Sequence, residues 1–517
     1  MTLRARGALA AGLASILALF IATAMLFVTR PGIEADEAVV VNRASFSFFS
    51  LPLMHFSYVG ALKTWLYLAL FSFVKPSQES LRVPMVLAAA AAVWLFFVLL
   101  DQTIGRRAAW IGALLLATDS MFVILNTFDF GPNALHFVFK LGAMVLLVRF
   151  HRGLYNNASE WALAAAFFLI GLGLWDKAIF IWAVFGVSLA TLIVFPREVL
   201  RHLSMRNLAI AVASALVGAL PLVAYNIHRP LDTFRSNAHM TKDPVRQKAI
   251  VLERTMNAPV FFGFFTSVQP PPHPGEARSW FQKVSQKISE TAHHPTRNLT
   301  VAALCLACLG MFARASRKPV LFGLLACFGT WLPMIFVAGG GSGAHHAILL
   351  WPFHFLAIAA ALSAIPRAWI SAAATVLLCA SNLLVTNEYY WELVRNGPDV
   401  RFTDAIYSLE SHLERMRSPE VYVLDWGILE PLKLLSDGTI PVAPPDWHSA
   451  ETLGQIISDP RAVFVAHTAA YAYFPGDRTA VEDFATGAGY EEVSADIVYD
   501  HYGRATFEVF RFRRIPL

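Results

Sequence analysis

The chain has 517 residues, of which 56% are hydrophobic and only 15% charged, with 40 Phe, 13 Trp and a formal net charge of +5. A water-soluble chain is nearer to about 25% charged, so the composition excludes a cytosolic globule, a disordered tail and a fibrous repeat. The mean hydropathy is +0.52, and the basic residues sit between apolar runs. The positive charge is therefore the topology signal of a polytopic α-helical membrane protein, not a nucleic-acid surface.

A bilayer-spanning helix needs about 20 apolar residues. In chain order such runs lie at 8–29, 83–100, 108–127, 130–148, 160–175, 178–195, 207–225, 299–313, 320–338, 347–365 and 368–386. They predict about eleven transmembrane helices. The first run follows Arg4 and Arg6 and exceeds a secretory h-region, so it reads as a retained span. The stretch 58–74 is short and carries Lys63. Laid along the interface, it leaves Arg106, Arg107, Arg149, Arg152, Arg197 and Arg201 on the same side as the N-terminus. Arg206, Arg314, Arg317, Lys318 and Arg367 fall there too, against Lys177 alone in the opposite short loops. The positive-inside rule then places the N-terminus in the cytoplasm.

Three segments face the exterior: the loop 30–82, the Pro-rich loop 226–298 and the tail 387–517. The tail alternates strand-like runs (421–425, 462–467, 507–512) with amphipathic helical patterns, which predicts a small exterior α/β domain after a bundle of residues 1–386. No internal repeat or pair of Gly/Pro-broken spans is present, which weighs against a secondary transporter. The four cysteines lie in apolar stretches, and Cys305 and Cys308 lack the further ligands of a zinc site.

Ionisable groups near a membrane are costly and mark function by default. The adjacent acids Asp36 and Glu37 open the first exterior loop; they serve chemistry or begin a solvated helix. Asp129 sits at an exterior turn, as a further functional acid or a helix cap. Lys177 follows Asp176 in a short exterior turn, where a structural Asp176–Lys177 interaction is the plain alternative. His345 and His346 close a Gly-rich loop, where they bind metal, contact phosphate or sit wet at the interface. Arg43, His55 and Lys63 add positive charge to the first loop, while Lys140 lies within its span and snorkels or pairs with an acid. Acids and bases thus gather on one face of the bundle, which suits chemistry on a lipid-borne substrate or simple lipid or polymer binding.

These residues resemble the GT-C superfamily of polyprenyl-phosphate-sugar-dependent glycosyltransferases, in the branch of protein O-mannosyltransferases and the bacterial aminoarabinose transferase acting on lipid A. Asp36-Glu37 is similar to the acidic motif opening the first exterior loop. Residues 51–55 leading into 58–74 resemble the Pro-containing run and juxtamembrane helix. Residues 80–84 look like the start of the second span, and Arg107 to Asp129 like the third, ending at a second acid. Residues 344–353 resemble the late loop-to-helix motif, with His where the family often has Arg, and the paired prolines of the first loop are reduced to Pro52.

The resemblance implies a GT-C bundle in a plasma (bacterial inner) membrane, with a polyprenyl-phosphate sugar donor, surrounding membrane lipids and a lipid, protein or glycan acceptor. It implies Asp36 as general base and Glu37 as a positioning acid. Asp129 would hold sugar hydroxyls, assist Asp36 or bind metal. Lys177 with His345 or His346 would hold the phosphate. It fixes no cofactor and leaves a divalent metal, on Asp36 and Asp129 if any, open. The competing readings are a lipid-linked sugar flippase and a noncatalytic polysaccharide-assembly protein.

Overall fold

The computed structural model describes residues 3–42, 45, 50–131, 133–153, 159–241, 243–445 and 449–516. Helix α1 (Leu3–Val28) leads into the short α2 (Ala35–Val39) of the first exterior loop. A two-stranded hairpin, β1 (Met54–Phe56) and β2 (Val59–Gly60), precedes α3 (Leu62–Phe71). The ten residues of α3 extend only about 15 Å, half the hydrocarbon core, so the helix is too short to cross.

The bundle continues with α4 (Gln78–Thr103), α5 (Arg106–Thr118), α6 (Ser120–Phe128), α7 (Ala134–Arg152) and α8 (Ser159–Asp176). Next come α9 (Phe180–Val194), α10 (Pro196–His202), α11 (Met205–Gly218) and α12 (Leu220–His228). Three apolar runs are bent rather than straight: α5 to α6 by 58°, α9 to α10 by 103° and α11 to α12 by 70°. Each bend has a local cause. Asp119 stops α5 and caps α6, its Oδ1 accepting the Phe122 amide at 2.7 Å and the Trp351 indole N–H at 2.9 Å. Pro196 and Pro221 stand at the starts of α10 and α12, where a missing amide costs no helical bond.

The second exterior loop carries α13 (Asp232–Asn237), α14 (Val245–Met256) and α15 (Trp280–Thr291). After it come α16 (Thr300–Ala307), α17 (Arg317–Phe336), α18 (Ala344–Ala347), α19 (Phe353–Ser363) and α20 (Ala368–Arg395). Among the described residues six helices are long and apolar enough to cross a membrane, or up to nine spans if each bent pair is one. The expected run 299–313 is α16 plus a 3-10 turn ending at Phe312, too short to cross unaided. Lys140 makes neither of its expected choices: its ammonium donates to the carbonyls of Leu349 at 2.8 Å and Trp351 at 2.5 Å.

The boundary drawn at 386 falls inside α20, which runs on to Arg395. Beyond it, α21 (Ala405–Met416), β3 (Val421–Val423), α22 (Leu429–Leu435), β4 (Val442–Ala443) and α23 (Ala450–Ser458) follow. The chain ends with β5 (Val463–His467), α24 (Pro475–Gly487), β6 (Tyr490–Tyr499) and β7 (Ala505–Arg514). The strands form one sheet in the order β4-β3-β5-β7-β6. β3 runs parallel to β4 and β5, while β7 is antiparallel to β5 and β6. Its core is continuous with the first loop: Ile33, Ala38 and Val41 share one buried cluster with Leu409, Val463 and Phe507. This shared core brings the tail against the bundle at the acids of the first loop.

Candidate functional site

The first loop is fixed before it presents anything. Glu34 caps α2, its carboxylate accepting the Asp36 amide at 2.7 Å, while Glu37 Oε1 accepts the Glu34 amide at 3.3 Å. This reciprocal cap sets adjacent acids on different faces. Glu37 turns inward, fully buried, and takes two bonds from Arg82, at 2.8 Å from Nε and 2.9 Å from Nη2. The same guanidinium donates to the carbonyls of Val28, Pro31 and Gly32, tying α1, the loop and α4 together. Glu37 thus holds the loop and does not line the cavity.

Asp36 turns outward into a cavity of about 320 Å³. Lys177, His345, Glu34 and Arg401 share the lining, and Phe130, Phe261, Phe264 and Phe402 wall it. Burial pushes the Asp36 carboxyl above its ordinary pKa of 3.8, and the positive charges of Arg401 and Lys177 pull it back. Glu34 lies well above its usual range because it is buried beside Asp36 and Glu37.

Lys177 reaches the cavity through a backbone match. Its residue bridges to Val59, and the Ala178 amide donates to the Tyr58 carbonyl at 2.8 Å. At Gly131 (φ +80°), a Cβ would stand 2.9 Å from Lys177 Nζ, so glycine leaves the ammonium room. Among the described residues the Lys177 ammonium makes no hydrogen bond or ion pair. The alternative Asp176–Lys177 interaction is not formed among the described residues; Asp176 Oδ2 stands 3.3 Å from His136 Nε2 instead.

Other expected residues are placed elsewhere. Asp129 ends α6 in the left-handed region (φ 45°), which turns its carboxylate under α7. There Oδ1 accepts the amides of Asn133 and Ala134 at 2.7 and 2.9 Å, and Oδ2 pairs with Lys63 at 2.9 Å. Asp129 and Lys63 are buried against each other and do not line the cavity. A metal shared by Asp36 and Asp129 therefore finds only Asp36 open. His55 bonds the Thr64 hydroxyl, and burial pushes its pKa down to about 4, so it is neutral at pH 7 and not the cation expected. His345 lies edge-on to Phe130 at 6.3 Å, whereas His346 packs against Trp182 at 5.7 Å and stays out of the lining. Arg43 lies outside the described residues.

Arg401 is the group that sequence reasoning missed. It sits in a 3-10 turn, Val400–Phe402, that Asp399 caps, with its guanidinium over Phe264 at 4.5 Å and Trp426 at 5.4 Å. The seam that brings it there is tight: the Gly32 amide donates to the Phe402 carbonyl at 2.7 Å. A Cβ at Gly32 would meet the Thr403 carbonyl oxygen at 1.9 Å. Nothing in the sequence separates Arg401 from the other arginines of the charged tail.

The comparisons with known proteins bear on the fold. Residues 57–225 match the family model of dolichyl-phosphate-mannose-protein mannosyltransferases. No curated protein sequence matches the chain. Among solved structures, ArnT from Cupriavidus metallidurans, bound to undecaprenyl phosphate, matches with a TM-score of 0.56 at 12% identity over 97% of this chain and 98% of that one. The apo oligosaccharyltransferase of Archaeoglobus fulgidus matches at 0.46 and 13% identity over 98% and 75%. The S. cerevisiae Pmt1-Pmt2 complex bound to its sugar donor matches at 0.31 and 14% identity over 51% and 38%. The fold assignment rests on the first. The resemblance read from the sequence is borne out: this is a multi-pass membrane protein with the fold of a GT-C glycosyltransferase.

Proposed function

We propose that the protein is a membrane glycosyltransferase that moves a sugar from a polyprenyl-phosphate donor to an acceptor hydroxyl, with inversion, at the outer face of the membrane. The carrying observation is the Asp36 carboxylate, with Glu34 beside it, sharing an aromatic-walled cavity of about 320 Å³ with two cations, Lys177 and Arg401. That volume lies at the small end of ligand sites, about 300–1,000 Å³, and suits a sugar phosphate whose lipid tail stays in the membrane. ArnT, which shares the fold, was solved with undecaprenyl phosphate.

In this reading the acceptor oxygen forms a bond to the anomeric carbon as the bond to the phosphate oxygen breaks. The electron pair leaves on the phosphate. Asp36 takes the acceptor proton, a role worth about 10²–10⁴-fold. Its raised pKa improves it as a base. Lys177 and Arg401 stabilise the phosphate charge, with His345 beside them. The aromatic walls stack against sugar faces and exclude water. The sugar moved is a hexosyl or pentosyl group.

The same reading sets the topology. The nine spans, with α8 and the 300–312 segment added, give eleven crossings and a cytoplasmic N-terminus in a bacterial inner membrane. The chain beyond α20, from residue 396 on, then forms an exterior domain that closes the cavity. The test is transfer of labelled sugar from a panel of synthetic polyprenyl-phosphate donors by protein in nanodiscs. Wild-type transfer or donor hydrolysis that Asp36→Asn abolishes supports the reading. Lipid scrambling without turnover would replace it with the flippase.

A further inference from the structure

The helix that leads out of the bundle carries an acid in a dry place. Glu388 on α20 is 1% exposed, and among the described residues no Lys or Arg pairs with it. Its Oε2 accepts the Ser289 hydroxyl at 2.5 Å, and its Oε1 stands 2.9 Å from His294 Nδ1. A buried carboxylate without a strong cation is costly. Glu392 lies four residues on, so the two acids stack on one helical face, where like charges repel. The nearest cation to Glu392 is Arg395, at 3.9 Å and half out in solvent.

One ligand atom from each of His294, Glu388 and Glu392 lies within 4.8 Å of the others. Ligands held about 2.0–2.2 Å from a tetrahedral ion stand roughly 3.3 Å apart. The His294–Glu388 spacing is already near that value, and rotation of the Glu392 side chain closes the triangle.

We propose that His294, Glu388 and Glu392 bind one zinc-class divalent cation, at a site separate from the Asp36 cavity. An imidazole with two carboxylates is a donor set for zinc and its transition-metal neighbours, whereas calcium and magnesium favour oxygen alone. The cation bridges His294 and Glu388 and relieves the repulsion between the two glutamates. Ser289, buried and bonded to Glu388, orients that carboxylate from behind. His294 closes α15, since its amide donates to the Ser289 carbonyl at 3.0 Å. The ion therefore clamps the second exterior loop to α20. That loop also carries Phe261 and Phe264 of the cavity wall, so the clamp acts on cavity shape rather than on the bond chemistry.

The experiment uses the full chain in nanodiscs, stripped with chelator and titrated with Co²⁺ as a visible probe, then with Zn²⁺ as competitor. One equivalent of Co²⁺ giving d–d absorption, displaced by Zn²⁺, is the expected result. Loss of an outer-shell partner already costs about 10–100-fold, so His294→Ala and Glu392→Gln should each weaken binding more than that. Asp36→Asn should bind as wild type does, which separates this site from the cavity. No stoichiometric uptake by wild type, equal uptake by both ligand variants, or loss of uptake in Asp36→Asn would each overturn the proposal. His294 is half-exposed, so its variant keeps the test open if Glu392→Gln is unstable.

Discussion

Two groups of charges lie within the same loop system and behave in opposite ways. Beneath the cavity, Glu37 is locked to Arg82 and Asp129 to Lys63, each pair buried with short bonds. Inside the cavity, Asp36, Lys177 and Arg401 influence one another electrostatically but form no ion pair among the described residues. The paired set spends its charge on holding α1, α3, α4 and α7 in register. Under the proposed function the open set keeps its charge for a ligand, because a group already satisfied by a neighbour gains little from a substrate.

The sharpest way to break this contrast is to remove one charge from each set. Asp36→Asn should lower sugar transfer by about 10²–10⁴-fold while the melting temperature in nanodiscs stays unchanged. Arg82→Met should do the reverse, destabilising the fold by about 3–5 kcal/mol because Glu37 is left buried and alone. Thermal melts and detergent-resistance assays would show it, and a fully stable Arg82→Met protein would refute the structural role. Lys177→Met should cost about 10²–10³-fold in kcat, with normal folding, since no partner is orphaned. A stability loss equal to that of Arg82→Met would place Lys177 in the paired set instead.

The smallest expected effect concerns pH. Asp36 must be ionised to accept a proton, so activity falls as pH drops through its raised pKa. Arg401 favours the ionised form, so Arg401→Gln should move the acidic limb of kcat/KM to higher pH. An unmoved limb would mean that Arg401 does not sense Asp36 in the working enzyme.

The sequence made the apolar runs legible, because bilayer thickness imposes a length that hydropathy records. It did not reveal the bends at Asp119, Pro196 and Pro221, since hydropathy carries no direction. Asp36 was legible as an acid directly after a span. Asp129 was equally visible but misleading: a left-handed backbone angle hides its carboxylate, and one sequence carries no sign of that angle. Arg401 was illegible for a different reason. Its place beside Asp36 depends on a contact across more than 360 positions, made by Gly32 against Phe402 and Thr403.

That seam at Gly32 has a consequence for biosynthesis. Asp36 emerges from the ribosome early, but its cavity lacks a wall and a cation until residues 401 and 402 have been translated and exported. Under the proposed function, a partly made chain in the membrane would carry the base without the rest of its site. Catalytic competence would then arrive only once residues 401 and 402 are in place, so that an interrupted product would stay silent instead of wasting lipid-borne sugar.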